Sequence, residues 1–249
     1  KLIYFMIKKI IFRNIVFHNI KKKDFNKYIK QKKLFVFPSG SGIPLIDEDK
    51  KYYLSLKNAD FVFFDSGFFV LLLSIVKNIK VDKFSGFKFL YIFFNYLNKN
   101  KNKKIFCIDP NPIFSKSNKR YLKKIGLKKI YSYVAPNYNS SNLIDKKLLK
   151  KIDKAKPDYI LTNIGGGTQE ILGLYLKNNL KNKATILCTG GAISFFTGDQ
   201  APINKFIDKF FLGWLLRLIY NPLFFYKRYL FALKLLPMVL FNKVKSING

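Results

Sequence analysis

Acidic side chains are scarce in this chain: 14 Asp and Glu stand against 46 Lys and Arg, a formal charge of +32 over 249 residues. Such an imbalance invites a polyanion-binding reading. The lysines, however, run through nearly every segment, interleaved with Asn, Ile, Phe and Tyr. Charge scattered in this way lacks the stripe of a nucleic-acid groove, so no nucleic-acid partner is expected, whereas attraction to an anionic lipid surface survives. Arginine is rarer still, confined to Arg13, Arg120, Arg217 and Arg228. Where almost every positive charge is Lys, a retained Arg points to a need for its planar, two-pronged fork. Cys107 and Cys188 are the only cysteines, too few for a disulfide scaffold or a metal knuckle, and read as buried thiols. The lone His18 has no catalytic partner in sequence. No charge-free apolar run reaches the ~18 residues of a membrane span. No Asp-x-Asp pair closes a strand, and Asp47-Glu48-Asp49 reads as the first turn of a helix, so neither a metal nor another cofactor is expected.

What is present is a core. Hydrophobic residues make up 49% of the chain, which excludes wholesale disorder and suffices for one large domain. Strands are predicted at residues 34–37, 61–64, 105–108, 129–133, 159–161 and 185–187. Between them, helices are predicted at 47–58, 68–77, 87–97, 116–125, 146–154 and 168–180. This alternation gives an α/β fold: a mostly parallel, Rossmann-like sheet with helices on both faces. Residues 1–33 form a basic amphipathic segment, read as a helix or an edge strand, and residues 34–202 the α/β domain. Residues 203–249 form a helical appendage in which Phe206, Phe210, Phe211, Trp214, Leu215 and Leu218 recur at helical spacing among cations. That composition suits a membrane interface as well as ordinary packing, and a chain ending near Ile203 is expected to stay folded.

The most informative stretch is Pro157-Asp-Tyr-Ile-Leu-Thr-Asn-Ile-Gly-Gly-Gly-Thr-Gln-Glu170. A short apolar strand runs into Gly165, Gly166 and Gly167, and Thr168 then opens a helix, so backbone N–H groups can face a phosphate. Gln169 and Glu170 lie where side chains reach a bound sugar or nucleotide; a tight turn without ligand is the plain alternative. Asp65 closes the strand at 61–64 behind bulky apolar neighbours, which suits a general base; capping of the next helix is its plain alternative. Asp109, before Pro110, is the runner-up base. Taken in order, Ala59-Asp-Phe-Val-Phe-Phe-Asp-Ser-Gly67, the glycine turn, Thr189-Gly-Gly-Ala-Ile-Ser-Phe-Phe-Thr-Gly-Asp-Gln-Ala-Pro202 and the stretch from Gly213 to Tyr229 resemble the WecG/TagA/CpsF glycosyltransferases, glycosyltransferase family 26.

The resemblance implies an inverting transfer of an N-acetylhexosamine-type sugar from a UDP donor to a polyprenyl-pyrophosphate-linked sugar. The setting it implies is bacterial surface-polysaccharide or teichoic-acid-type synthesis, at the cytoplasmic face of the membrane, and it allows a homo-oligomer. By the same resemblance Asp65 is the base, and Gln169, Glu170 and the glycines, including Gly190 and Gly191, hold donor and nucleotide. Arg217 and Arg228 meet the pyrophosphate. The chain departs from the family's pattern in several places. Ser66 stands for a Gly and Thr168 for a Lys, while Lys83, Gly86 and Lys88 occupy an Arg-x-x-Gly-x-Asp block. Phe37-Pro-Ser39 stands where Thr and Asn are usual, which makes Ser39 a marginal candidate. Two alternatives remain open at this point: a basic nucleic-acid-binding protein, and an inactive family member serving as a membrane-bound partner.

Overall fold

The computed structural model describes residues 8–21, 24–138, 143–199, 219 and 222–247. Within them one mixed sheet of nine strands forms the frame. In chain order these are β1 (Lys8–Phe12), β2 (Ile15–Asn19), β3 (Leu34–Val36), β4 (Phe61–Phe63), β5 (Lys104–Asp109), β6 (Lys129–Val134), β7 (Tyr159–Thr162), β8 (Thr185–Cys188) and β9 (Val244–Ile247). Across the sheet the order is β6-β5-β7-β8-β3-β4-β2-β1-β9. From β6 to β2 every pairing is parallel; β1 pairs antiparallel with both β2 and β9. The fold is therefore α/β and mostly parallel, as the alternating pattern predicts.

Strand residues alternate between two hydrophobic layers, because successive side chains point to opposite faces. Leu34, Val36, Val62, Ile160, Ile186 and Cys188 meet one set of helices. That set comprises α2 (Lys50–Lys57), α3 (Gly67–Lys77), α6 (Lys146–Ala155) and α7 (Thr168–Asn179). Phe35, Phe61, Phe63, Ile105, Cys107, Leu161 and Leu187 meet α1 (Phe25–Ile29), α4 (Gly86–Lys99) and α5 (Pro112–Lys124) on the other. The second layer is built from phenylalanine: ring centroids of Phe35 and Phe61 lie 4.9 Å apart, those of Phe37 and Phe63 4.7 Å. Both cysteines are buried and free, one in each layer.

The ends of the chain do more than decorate this frame. Residues 8–19 form a hairpin whose two turn residues, Arg13 and Asn14, have φ of 52° and 61°. Positive φ at both positions is the two-residue turn that matches strand twist. The guanidinium of Arg13 then clamps the turn, donating to Asp47 and, at 2.9 Å, to Asn242 Oδ1. Near the other end, a short helix α8 (Ser194–Thr197) precedes the undescribed stretch, and α9 (Pro222–Ala232) and α10 (Leu235–Phe241) follow it. Leu235 and Val239 of α10 are fully buried in the first layer, and β9 adds a strand beside β1. Cutting the chain near Ile203 would remove both contacts, so the segment from 203 onward is part of the sheet and its first layer as well as an appendage. Phe206 to Leu218, read from sequence as the membrane-facing helix, lie outside the described residues.

One crevice follows from the connections. The chain leaves β3 through a 3₁₀ turn (Ile43–Asp47) and α2 on the first face, whereas it leaves neighbouring β8 through Gly190–Ile193 on the second. Divergence of adjacent connections at the carboxyl ends of parallel strands opens the place where α/β sheets bind ligands.

Candidate active site

Asp65 lies just beyond the end of β4, half-buried, between two helix N-termini. It does not cap α3. That task falls to Ser66, whose Oγ accepts from the Phe69 N–H at 3.1 Å. A serine in the usual glycine's place is thus a better cap and takes nothing from the carboxylate. Asp65 Oδ1 instead accepts the N–H of Gly86, the first residue of α4, at 2.8 Å. Gly86 packs closely there. A Cβ on it would lie 3.5 Å from both the Ala192 Cβ and the Thr189 carbonyl, and 3.8 Å from Asp65 Oδ1. The aspartate, the start of α4 and the turn after β8 therefore meet at one point. Lys83 is half-buried in the segment leading to α4, and Lys88 lies over the Phe84 ring, 5.8 Å from its centroid.

The glycine turn after β7 forms the other side. Gly165 and Gly166 are exposed, with open space where a Cβ would stand, and Gly167 takes φ of 90° to enter α7. Backbone donors at a helix start beside open space are the geometry an anion needs. Gln169 and Glu170 are buried beneath this turn, and their polar atoms serve the protein. Glu170 Oε2 accepts the Gly167 N–H at 2.7 Å, and Oε1 accepts from Gln169 Nε2 at 2.9 Å. Gln169 Oε1 accepts the Gly190 N–H at 2.7 Å, and the Thr162 hydroxyl reaches the same oxygen at 3.4 Å. Two side chains thus bind the glycine turn after β7 to the one after β8. Gly190, at φ of 56°, leaves only 3.2 Å between a Cβ and the Gln169 amide nitrogen, whereas Gly191 is exposed. Burial pushes the Glu170 carboxyl up to about 7, with the nearby charge of Asp65 adding to the shift and the Gly167 N–H opposing it.

A third loop, after β3, lies beside Ser66 and Tyr52. Gly42 donates to the Ser39 Oγ at 3.1 Å, and the hydroxyls of Ser39 and Ser41 lie 3.3 Å apart, so Ser39 is engaged inside its own loop. Two glycines let the loop lie flat. A Cβ on Gly40 would meet Ser66 Oγ at 2.9 Å, and one on Gly42 would meet the Tyr52 hydroxyl at 2.9 Å. Tyr52 is buried, and its hydroxyl finds no partner among the described residues. The same Gly40 position lies 3.9 Å from the Cβ of Ala232, so the end of α9 touches the loop beside Ser66. Arg228, half-buried, is one helical turn before Ala232 and shares its face. Arg217 lies outside the described residues.

Asp109 stands apart. Its side chain is fully buried, Oδ1 accepts from Asn118 and Asn163 at 2.7 Å each, and burial raises its carboxyl above the usual range. It ties β5, α5 and the end of β7 together and reaches no solvent. Sequence reasoning named Gly86 only as part of a family block, without its contact to Asp65, and passed over Tyr52 and Thr162. A further local signal was the Ser85-Gly86 pair ahead of an apolar helix, with Ser85 capping α4 at 3.2 Å to the Lys88 N–H. Among the described residues no group of three His, Cys, Asp or Glu is placed to hold a metal ion.

The chain has no significant match among curated proteins. A family model described as the glycosyl transferase WecG/TagA/CpsF family, however, matches residues 10–248. That span includes most of the hairpin, all three loops of the crevice and the edge strand β9. This chain belongs to the WecG/TagA/CpsF glycosyl transferase family.

Proposed function

We propose that the chain moves an N-acetylhexosamine-type sugar from a UDP donor to a polyprenyl-pyrophosphate-linked sugar, with inversion and without a resident metal. The reaction belongs to bacterial surface-polysaccharide or teichoic-acid-type synthesis, at the cytoplasmic face of the membrane. The observation that carries this reading is the carboxylate of Asp65, pinned by the Gly86 N–H across from the open glycine turn.

In the proposed reaction Asp65 takes the proton of the acceptor hydroxyl while that oxygen attacks the anomeric carbon. The bond from that carbon to the β-phosphate oxygen breaks on the opposite side, which inverts the centre. Charge developing on the UDP pyrophosphate meets the N–H groups around Gly166 and Thr168 at the start of α7, a terminus equivalent to about half a positive charge. Arg228 and Arg217 supply forks for the same pyrophosphate or that of the acceptor. Gln169 and Glu170 act as positioning residues, because their side chains set the two glycine turns. Among the described residues no helix is long and apolar enough to cross a membrane, and the proposed attachment is peripheral, through apolar helices and cations.

Calorimetric titration with UDP-N-acetylhexosamines in the presence of EDTA tests the donor assignment. Saturable binding of a UDP-sugar under chelation is expected. Absence of any UDP-sugar binding, or binding that appears only when a divalent cation is restored, sinks the donor or the metal-free part of the proposal respectively.

A further inference from the structure

Where the two chain ends join the sheet lies a cavity of about 470 Å³, within the size range of small-ligand pockets. Ile11, Ile46 and Tyr53 give it an apolar lining, and Arg13, Lys243 and Lys245 line it with positive charge. The register explains the arrangement: Lys245 of β9 pairs with Ile11 of β1, so a cation stands directly beside an apolar side chain. Arg13 is held in place by Asp47 and by Asn242, which also lines the cavity. Lys243 and Lys245 form no ion pair among the described residues.

The cavity also borders exposed apolar surface. Phe241, the residue before Asn242, is 85% exposed, and Leu236 and Leu240 lie one helical turn apart on α10, both exposed. On α3, packed against α10, Leu71 and Ile75 repeat the same spacing, and Ile75 is 72% exposed. Lys77 Nζ donates to the Leu240 carbonyl at 3.0 Å and fastens the two helix ends together. Exposed apolar side chains on two packed helices, with Phe241 next in sequence to the cavity's Asn242, beside a cationic cavity match one kind of occupant, an amphiphile with an anionic head. A second copy of a chain with a charge of +32 would bring like charge to the same place.

We infer that this cavity receives the phosphate of an anionic membrane phospholipid, whose acyl chains run over Phe241, Leu240 and Ile75. The inference takes its setting from the membrane part of the proposed function and adds a defined lipid site. Its test reads lipid binding alone, so the two readings fail separately.

The full chain is floated with phosphatidylcholine vesicles containing about a third phosphatidylglycerol at physiological salt. Lys243→Gln with Lys245→Gln is expected to lower partition about 30-fold, from roughly fivefold per lysine near an anionic surface. Ile11→Trp fills the cavity and keeps every charge, and is expected to lower partition about tenfold while UDP-sugar binding stays unchanged. Water-soluble dihexanoyl-phosphatidylglycerol is expected to displace the wild-type chain from vesicles and raise its melting temperature, whereas its phosphatidylcholine counterpart does neither. Unchanged partition of folded Ile11→Trp means diffuse charge alone and overturns the site. Inorganic phosphate competing as well as the short-chain lipid overturns the lipid assignment. Failure of the short-chain lipid to bind the wild-type chain overturns the inference whatever the variants do.

Discussion

Gln169 and Glu170 sit side by side under the glycine turn, and each is expected to act on ligand binding through backbone it holds. Gln169→Ala removes the acceptor of the Gly190 N–H and a donor to Glu170, leaving buried groups unpaired. A loss of about tenfold or more is expected for UDP and UDP-sugar alike, from a cost of roughly 1–3 kcal/mol. Calorimetry on both ligands checks this; a loss confined to the sugar would return Gln169 to direct sugar contact. Glu170, raised to about 7, changes charge near neutrality beside the turn that would hold the pyrophosphate. Its folded carboxyl titrates above the ordinary 4.5, so its contribution to stability is complete below that value and is lost as pH rises through about 7. By the same sign, UDP-sugar affinity should weaken about fivefold from pH 6 to 8, the factor for ~1 kcal/mol of like-charge repulsion. Glu170→Gln should flatten that profile, and an unaltered slope in the variant would assign the titration elsewhere. From sequence, both residues read as contacts to a bound sugar or nucleotide. Their burial was not legible there, because the side chains' partners, Gly167 and Gly190, depend on how β7 and β8 are set side by side.

Helix α7 shows what the elements require of single residues. Gly173 is its close-approach position: a Cβ there would come within 2.6 Å of Cys188 Sγ and 2.9 Å of Leu34 Cδ1. Gly173→Ala is therefore expected to destabilise the protein by about 1–3 kcal/mol, since overpacking exceeds the ~1 kcal/mol gain in helix propensity. Urea denaturation decides; a more stable variant would mean that α7 can move off the sheet. The parallel strands β3 to β8 were legible because each is a short apolar run followed by a turn signal. Helix α5 begins at Pro112 rather than at 116, although Asn111-Pro112 carries both a cap and a first-turn proline. Here the signal was present and outweighed by Lys-rich residues that hide the apolar period. Strand β9, Val244 to Ile247, was illegible for another reason: four residues, three of them exposed, acquire strand structure only by pairing with β1.

At the scale of the whole molecule, strands from both ends of the chain together extend one edge of a parallel sheet whose carboxyl end carries the site. The order of blocks in the sequence was enough to name the family, and the family model matches residues 10–248. What composition could not tell was the use of the charge. Of the arginines, Arg13 spends its fork on Asp47 and Asn242 in fixing the fold, while Arg228 is on the face of α9 that reaches the Gly40 loop. The central claim is that this assembly transfers a sugar with Asp65 as the base. The most direct measurement is single-turnover transfer from a UDP-N-acetylhexosamine to a polyprenyl-pyrophosphate-linked sugar, comparing the full chain with Asp65→Asn. The account predicts product from the wild type and a rate lower by about 10²–10⁴ in the variant, with UDP affinity within a few-fold. A variant that transfers at the wild-type rate would contradict it.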